Sequence, residues 1–148
     1  MRFRALIIPV VIVLSLIIIS PYVINPASAH ITKQAGDISI KVGFANEPPL
    51  VGDTNMVQIF VNQGNGNNTQ PISDTALNNM TETIQYGGKT KALGFDPSDD
   101  TPGEYDSTVI PTQLGSYNII MKGTINGQNV DLTFPLTEVE SKDKYYFP

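Results

Sequence analysis

"TPGEYDSTVIPTQLGSYNIIMKGTINGQNVDLTFPL", residues 101–136, carries the pattern that decides the fold. Apolar and polar residues alternate through it with a period of two, the mark of a half-buried strand rather than a helix. Tyr105, Ser107 and Val109 share one side of the first run, and Tyr117, Ile119 and Met121 one side of the second. Val130, Leu132 and Phe134 share a side of the third, where Pro135 ends the ladder or marks an edge. Asn126-Gly127 lies between the last two runs and predicts a tight hairpin turn.

The same period extends upstream. "DISIKVGF" places Ile38, Ile40, Val42 and Phe44 on one face, and "NMVQIFVN" does so for Val57, Ile59 and Val61. "TETIQYGGKTKALGF" reads as two strands joined at Gly87-Gly88. Turn-rich stretches such as "NQGNGNNTQP" and "DPSDDTPG" separate the runs. The expectation is a single all-β domain of about seven strands, a sandwich or a barrel. Leu93 joins Tyr105, Tyr117, Ile119, Val130 and the two upstream triplets Ile38-Ile40-Val42 and Val57-Ile59-Val61 as its predicted core.

The chain has 148 residues and opens on a different composition. Arg2 and Arg4 precede a charge-free apolar run from Ala5 to Ile19, and Ala27-Ser28-Ala29 follows. A basic start, an apolar run and small residues at a cut form an export signal. The charge-free stretch continues to Thr32, so an uncleaved anchor is the alternative. Residues 1–29 are thus a signal peptide or anchor helix, 30–136 the sandwich and 137–148 a tail ending "KDKYYFP". Either reading places the domain outside the cytoplasm, secreted or anchored to the outer face of the membrane, because the arginines stay inside.

Residues 1–29 contain both arginines and no acid, so their removal takes the net charge from −5 to about −7. That balance argues against nucleic acid and anionic lipid as partners, since both select basic patches. The absence of cysteine rules out thiol catalysis and thiolate metal sites. No nucleophile elbow, phosphate loop or zinc-protease motif is present, and no enzyme is expected.

His30, the only histidine, becomes the first mature residue if the cut follows Ala29. Its α-amino group and imidazole could then chelate one Cu(II), the divalent ion that imidazole sites favour most. Asp96, Asp99 and Asp100 form the densest acid cluster and could complete such a site. The same "DPSDD" departs from the spacing of a calcium loop and also reads as a solvated turn. Asn67 and Asn79 head N-glycosylation sequons on predicted loops.

Gly115-Ser116-Tyr117 resembles the Gly-x-Tyr entry to a strand of immunoglobulin-like domains, where the tyrosine bonds back to the backbone upstream. With His30, "VGFANEPPLVGDTN", "YGGKTKAL" and the 101–130 stretch, the mature chain resembles the exported YtkA-like domains, relatives in shape of CopC-type copper-resistance domains. The resemblance spans about residues 30–135. It implies an immunoglobulin-like two-sheet sandwich with a binding or delivery role, and copper as ligand. Of the CopC-type ligands only His30 carries over, because a second histidine does not exist and Met56, Met80 and Met121 are scattered. The function expected is an extracytoplasmic, non-enzymatic binding module for Cu(II). The alternative is a structural module that contacts another exported or membrane protein through a sheet edge or the tail.

Overall fold

The computed structural model describes residues 30–66 and 68–148. The expected signal or anchor helix and the sequon at Asn67 lie outside the described residues. Ten strands follow one another: β1 (Ile31–Ala35), β2 (Ile38–Phe44), β3 (Asn55–Asn65), β4 (Asn68–Pro71), β5 (Met80–Tyr86), β6 (Lys89–Leu93), β7 (Asp96–Pro97), β8 (Glu104–Val109), β9 (Asn118–Ile125) and β10 (Gln128–Pro135). They form two antiparallel sheets. One runs β1-β2-β3-β8-β7 with β4 also on β3, and the other runs β10-β9-β5-β6. A 3-10 turn, Asp143–Tyr145, follows them. Among the described residues no helix is long and apolar enough to cross a membrane.

The all-β expectation holds, with a corrected strand count. The seven runs that alternate in sequence are all strands, and β1, β4 and β7 are additional. β4 is exposed at every residue, and β7 is the Asp96-Pro97 pair expected to start a turn. Neither has an apolar face to betray it. Both are held by backbone pairing to a neighbour, β4 to the end of β3 and β7 to β8.

The core forms where the inner faces meet. Ile38, Ile40, Val42, Val57, Ile59, Val61 and Ile119 are fully buried, and Leu93, Tyr105, Tyr117 and Val130 nearly so. Phe44, Met121, Ile125 and Phe134 join them. Each such aliphatic side chain withdrawn from water stabilises the fold by about 1.5–3 kcal/mol. The two predicted hairpins are present. Tyr86 faces Lys89 across Gly87-Gly88, and Ile125 faces Gln128 across Asn126-Gly127. Asn126 and Gly127 have φ of 47° and 81°, the left-handed pair that a two-residue hairpin turn with matching twist requires.

Two tyrosines lock loops onto this frame. The Tyr117 hydroxyl donates to the Gln113 carbonyl at 3.1 Å and accepts the Gln113 N–H at 3.0 Å. The expected bond back to the upstream backbone is therefore present. Tyr105, in the other Gly-x-Tyr unit, reaches farther. Its hydroxyl donates to the Ile72 carbonyl at 2.8 Å and accepts from the buried Ala76 N–H at 3.0 Å. It pins the long connection from β4 to β5.

The expected tail 137–148 divides near Glu140. Leu136 and Val139 are buried. Val139 exchanges backbone hydrogen bonds with Gly115, and Glu140 bridges Pro49 and Val51 at 2.9 and 3.0 Å. Beyond that point Lys142 pairs with Asp53 and Lys144 with Glu140. Tyr146 and Phe147 stand in solvent.

Candidate functional site

The two long sides of the sandwich differ. On one, β1 lies beside β10, and the Lys33 ammonium donates to the Thr133 carbonyl at 2.6 Å. On the other, β6 ends its sheet with no further neighbour among the described residues, and the facing sheet ends in the two-residue β7. The sheets part there and leave a groove of about 200 Å³. Ile84, Tyr86, Leu93, Val109, Pro111 and Tyr117 supply its apolar wall, and Lys89 and Lys91 its lip.

Strand alternation explains the lining. Lys89, Lys91 and Leu93 share the inward side of β6, but only Leu93 reaches the buried core. The lysines are left at the mouth. Of the other five lysines, Lys122, Lys142 and Lys144 form ion pairs, Lys33 bonds Thr133, and Lys41 sits 4.1 Å over the Phe60 ring. Among the described residues Lys89 and Lys91 have no such partner. Two unneutralised cations beside an apolar wall can receive an anion that carries an apolar body. Tyr86 and Tyr117 stack tilted at 4.7 Å and form the aromatic end of the wall. The Tyr86 hydroxyl is anchored to the Leu114 carbonyl at 3.0 Å. A more polar hollow lined by Asp96, Asp106 and Ser107 adjoins the groove at Lys91 and Leu93.

A buried acid stands behind this side. Glu82 on β5 has Met121 and Leu93 as cross-strand neighbours and is 7% exposed. Its Oε1 has no hydrogen-bond partner. Burial pushes its carboxyl above the usual value, against a smaller downward pull from its own backbone amide. The signal that could have found it is the alternation in "TETIQY", which puts Glu82 on the face of Ile84 and Tyr86.

Of the expected metal ligands, His30 and Asp96 lie on the outer face of the larger sheet, and the set does not converge. His30 precedes β1 and packs its ring over Gly43, where even a Cβ would come within 2.6 Å of the imidazole. The ring meets the edge of Phe60 at 5.8 Å between centroids. Gly43 faces Gln58, Gln58 faces Asp106, and Asp106 faces Asp96. The His30 and Asp96 backbones thus stand at opposite ends of one cross-strand row, four strand spacings or about 19 Å apart. Asp99 and Asp100 are exposed in the bend beyond β7. No group of three or more potential metal ligands assembles among the described residues. The acids nearest Asp96 are occupied otherwise, since the Gln58 amide donates to both Glu104 and Asp106. Asn79 is exposed at the end of the loop that precedes β5, open to modification.

No family model matches the chain, and no curated protein or solved structure matches it either.

Proposed function

We propose that this chain is an exported, non-enzymatic binding module of immunoglobulin-like type, whose open sandwich edge takes a small anion with an apolar or aromatic body. The observation that carries the reading is the groove between β6 and β8, apolar along its wall and lined at its lip by the unpaired Lys89 and Lys91. The Tyr117 bond to the Gln113 backbone supports the immunoglobulin-like type. The leader-like composition of residues 1–29 supports an extracytoplasmic location. Because His30 and Asp96 stand at opposite ends of the sheet, a Cu(II) site would rest on His30 without those aspartates, and the groove is the reading favoured here.

The competing explanation for Lys89 and Lys91 is protection of an edge strand, where lysines discourage pairing with another chain. Calorimetric titration with 4-phenylbutyrate separates the two. The groove reading predicts millimolar affinity or better, corresponding to about −4 kcal/mol. A Lys89→Gln/Lys91→Gln variant should lose most of it, and Leu93→Trp, which fills the groove, should lose all. Affinity equal in the parent and both variants refutes the site. Absence of heat in the parent at 10 mM ligand, about ten times the expected dissociation constant, does the same.

A further inference from the structure

The large apolar side chains that the fold leaves exposed are gathered at one pole. Ile110 and Leu114 project from the loop between β8 and β9, at 55% and 51% exposure. Tyr145, Tyr146 and Phe147 end the chain, with Phe147 at 95%. Met56, the second residue of β3, borders them. The pairings fix this geometry. β2, β5, β8 and β10 end at this pole, and β3, β6 and β9 begin there. The last residues are held to it by the Lys142–Asp53 pair and by Glu140 between Pro49 and Val51. The other pole has turns such as Gly36-Asp37 and Asn126-Gly127, and no exposed large apolar side chain among the described residues.

His30 emerges at the same pole, because Ile31 pairs with Val42 near the end of β2. Residues 1–29, with their charge-free run from Ala5 to Ile19, are therefore attached beside the exposed aromatics. Ten residues separate Ile19 from His30, eleven steps along the chain, which limits the pole to about 40 Å from the end of that run. Charge is distributed to match. The segments at this pole (45–54, 86–91, 110–118 and 136–148) carry five carboxylates and four lysines, a net of −1. The remainder of the domain carries nine carboxylates and three lysines, a net of −6. The near-neutral, aromatic end is the one an uncharged lipid surface accepts. Tyrosine in particular settles at the headgroup level, ring toward the hydrocarbon and hydroxyl toward water.

We infer that this pole rests on the membrane that residues 1–29 enter, with Leu114 and the Tyr145-Tyr146-Phe147 strip seated in the interface of a zwitterionic bilayer. The exposed apolar side chains gathered at this pole are covered by lipid in this arrangement. The groove opens on the membrane-proximal half of the domain as a consequence, but the inference does not depend on what the groove binds.

The chain contains no tryptophan, so a single introduced indole reports its own surroundings. The test uses the full 148-residue chain reconstituted into phosphatidylcholine vesicles, with Phe147→Trp, Leu114→Trp and Gln70→Trp compared. Gln70 lies on β4 at the opposite pole and is exposed. The inference expects blue-shifted emission and quenching by brominated acyl chains at positions 147 and 114, and neither at 70. Quenching at 147 alone means a tail that touches lipid without the pole, and overturns the inference. Equal, water-like emission at all three positions overturns it, as does failure of the full chain to float with the vesicles. Quenching relieved only by a soluble protein partner assigns the pole to that partner and overturns it too.

Discussion

Replacing Tyr105 by Phe removes one oxygen and leaves the ring in place, so the change isolates the loop clamp from the core. The lost hydroxyl donates to the Ile72 carbonyl and accepts from the Ala76 N–H. Two net hydrogen bonds are worth about 0.5–1.5 kcal/mol each, and a buried donor left unsatisfied costs about 1–3 kcal/mol. Ala76 is 2% exposed, so its N–H cannot turn to water without the loop opening. Counting one carbonyl bond and one orphaned donor gives a destabilisation of about 2–4 kcal/mol. A domain of about 120 residues has an unfolding entropy near 0.25 kcal/mol/K, so the melting temperature should fall by about 8–16 °C. Tyr117→Phe removes a clamp of equal bond count from Gln113, which is exposed, so both freed backbone groups rehydrate. That variant should lose about 1–3 kcal/mol, or about 4–12 °C, with no orphaned donor to add. Thermal unfolding of residues 30–148 followed by circular dichroism measures both. Hydrogen exchange should also show the amides of residues 72–79 opening faster in Tyr105→Phe alone. A melting temperature lowered more by Tyr117→Phe than by Tyr105→Phe would refute the argument from burial.

Ile59→Ala should cost about 2–5 kcal/mol in urea unfolding, because the side chain is fully buried between the sheets; a loss near zero would mean the register of β3 is wrong. Glu82 has a folded pKa raised above its unfolded value, so its contribution is fully present below about pH 4.5 and is lost as pH rises through the folded pKa. Relative to the parent, Glu82→Gln should therefore gain stability progressively from pH 4.5 upward and level off once the parent carboxyl is ionised. A stability difference that does not change with pH rejects the burial argument. Asp96→Asn/Asp99→Asn/Asp100→Asn should leave Cu(II) affinity unchanged in a calorimetric titration of residues 30–148, since Asp96 stands four strands across the sheet from His30 and Asp99 and Asp100 lie in the bend beyond it; a tenfold loss would show that the two ends of the row do meet.

The inner faces were legible because burial on one side of a strand writes itself as alternation. Each of Ile38, Ile40, Val42, Val57, Ile59 and Val61 follows that rule, and Asn126-Gly127 marks its turn through backbone sterics alone. β4 and β7 escaped because backbone pairing, not side-chain burial, holds them. The reach of Tyr105 to Ile72 and Ala76 was invisible for another reason. Its Gly-x-Tyr unit looks like that of Tyr117, but its partner lies 33 residues away and depends on β8 pairing with β3. Strand order also decides the site. His30 and Asp96 do share one face and one row, yet period-two reading says nothing of how many strands stand between them. The groove likewise exists because β6 has no neighbour on its far side among the described residues, a fact of topology that "KTKAL" does not record.

The most direct test of the account is an amide chemical-shift titration of residues 30–148 with 4-phenylbutyrate. The account predicts shifts concentrated at Ile84, Tyr86, Leu93, Val109 and Tyr117, saturating together with one affinity. Shifts centred instead on His30, Phe60 and Asp96 of the outer sheet face, or no saturable shift at all, would contradict it.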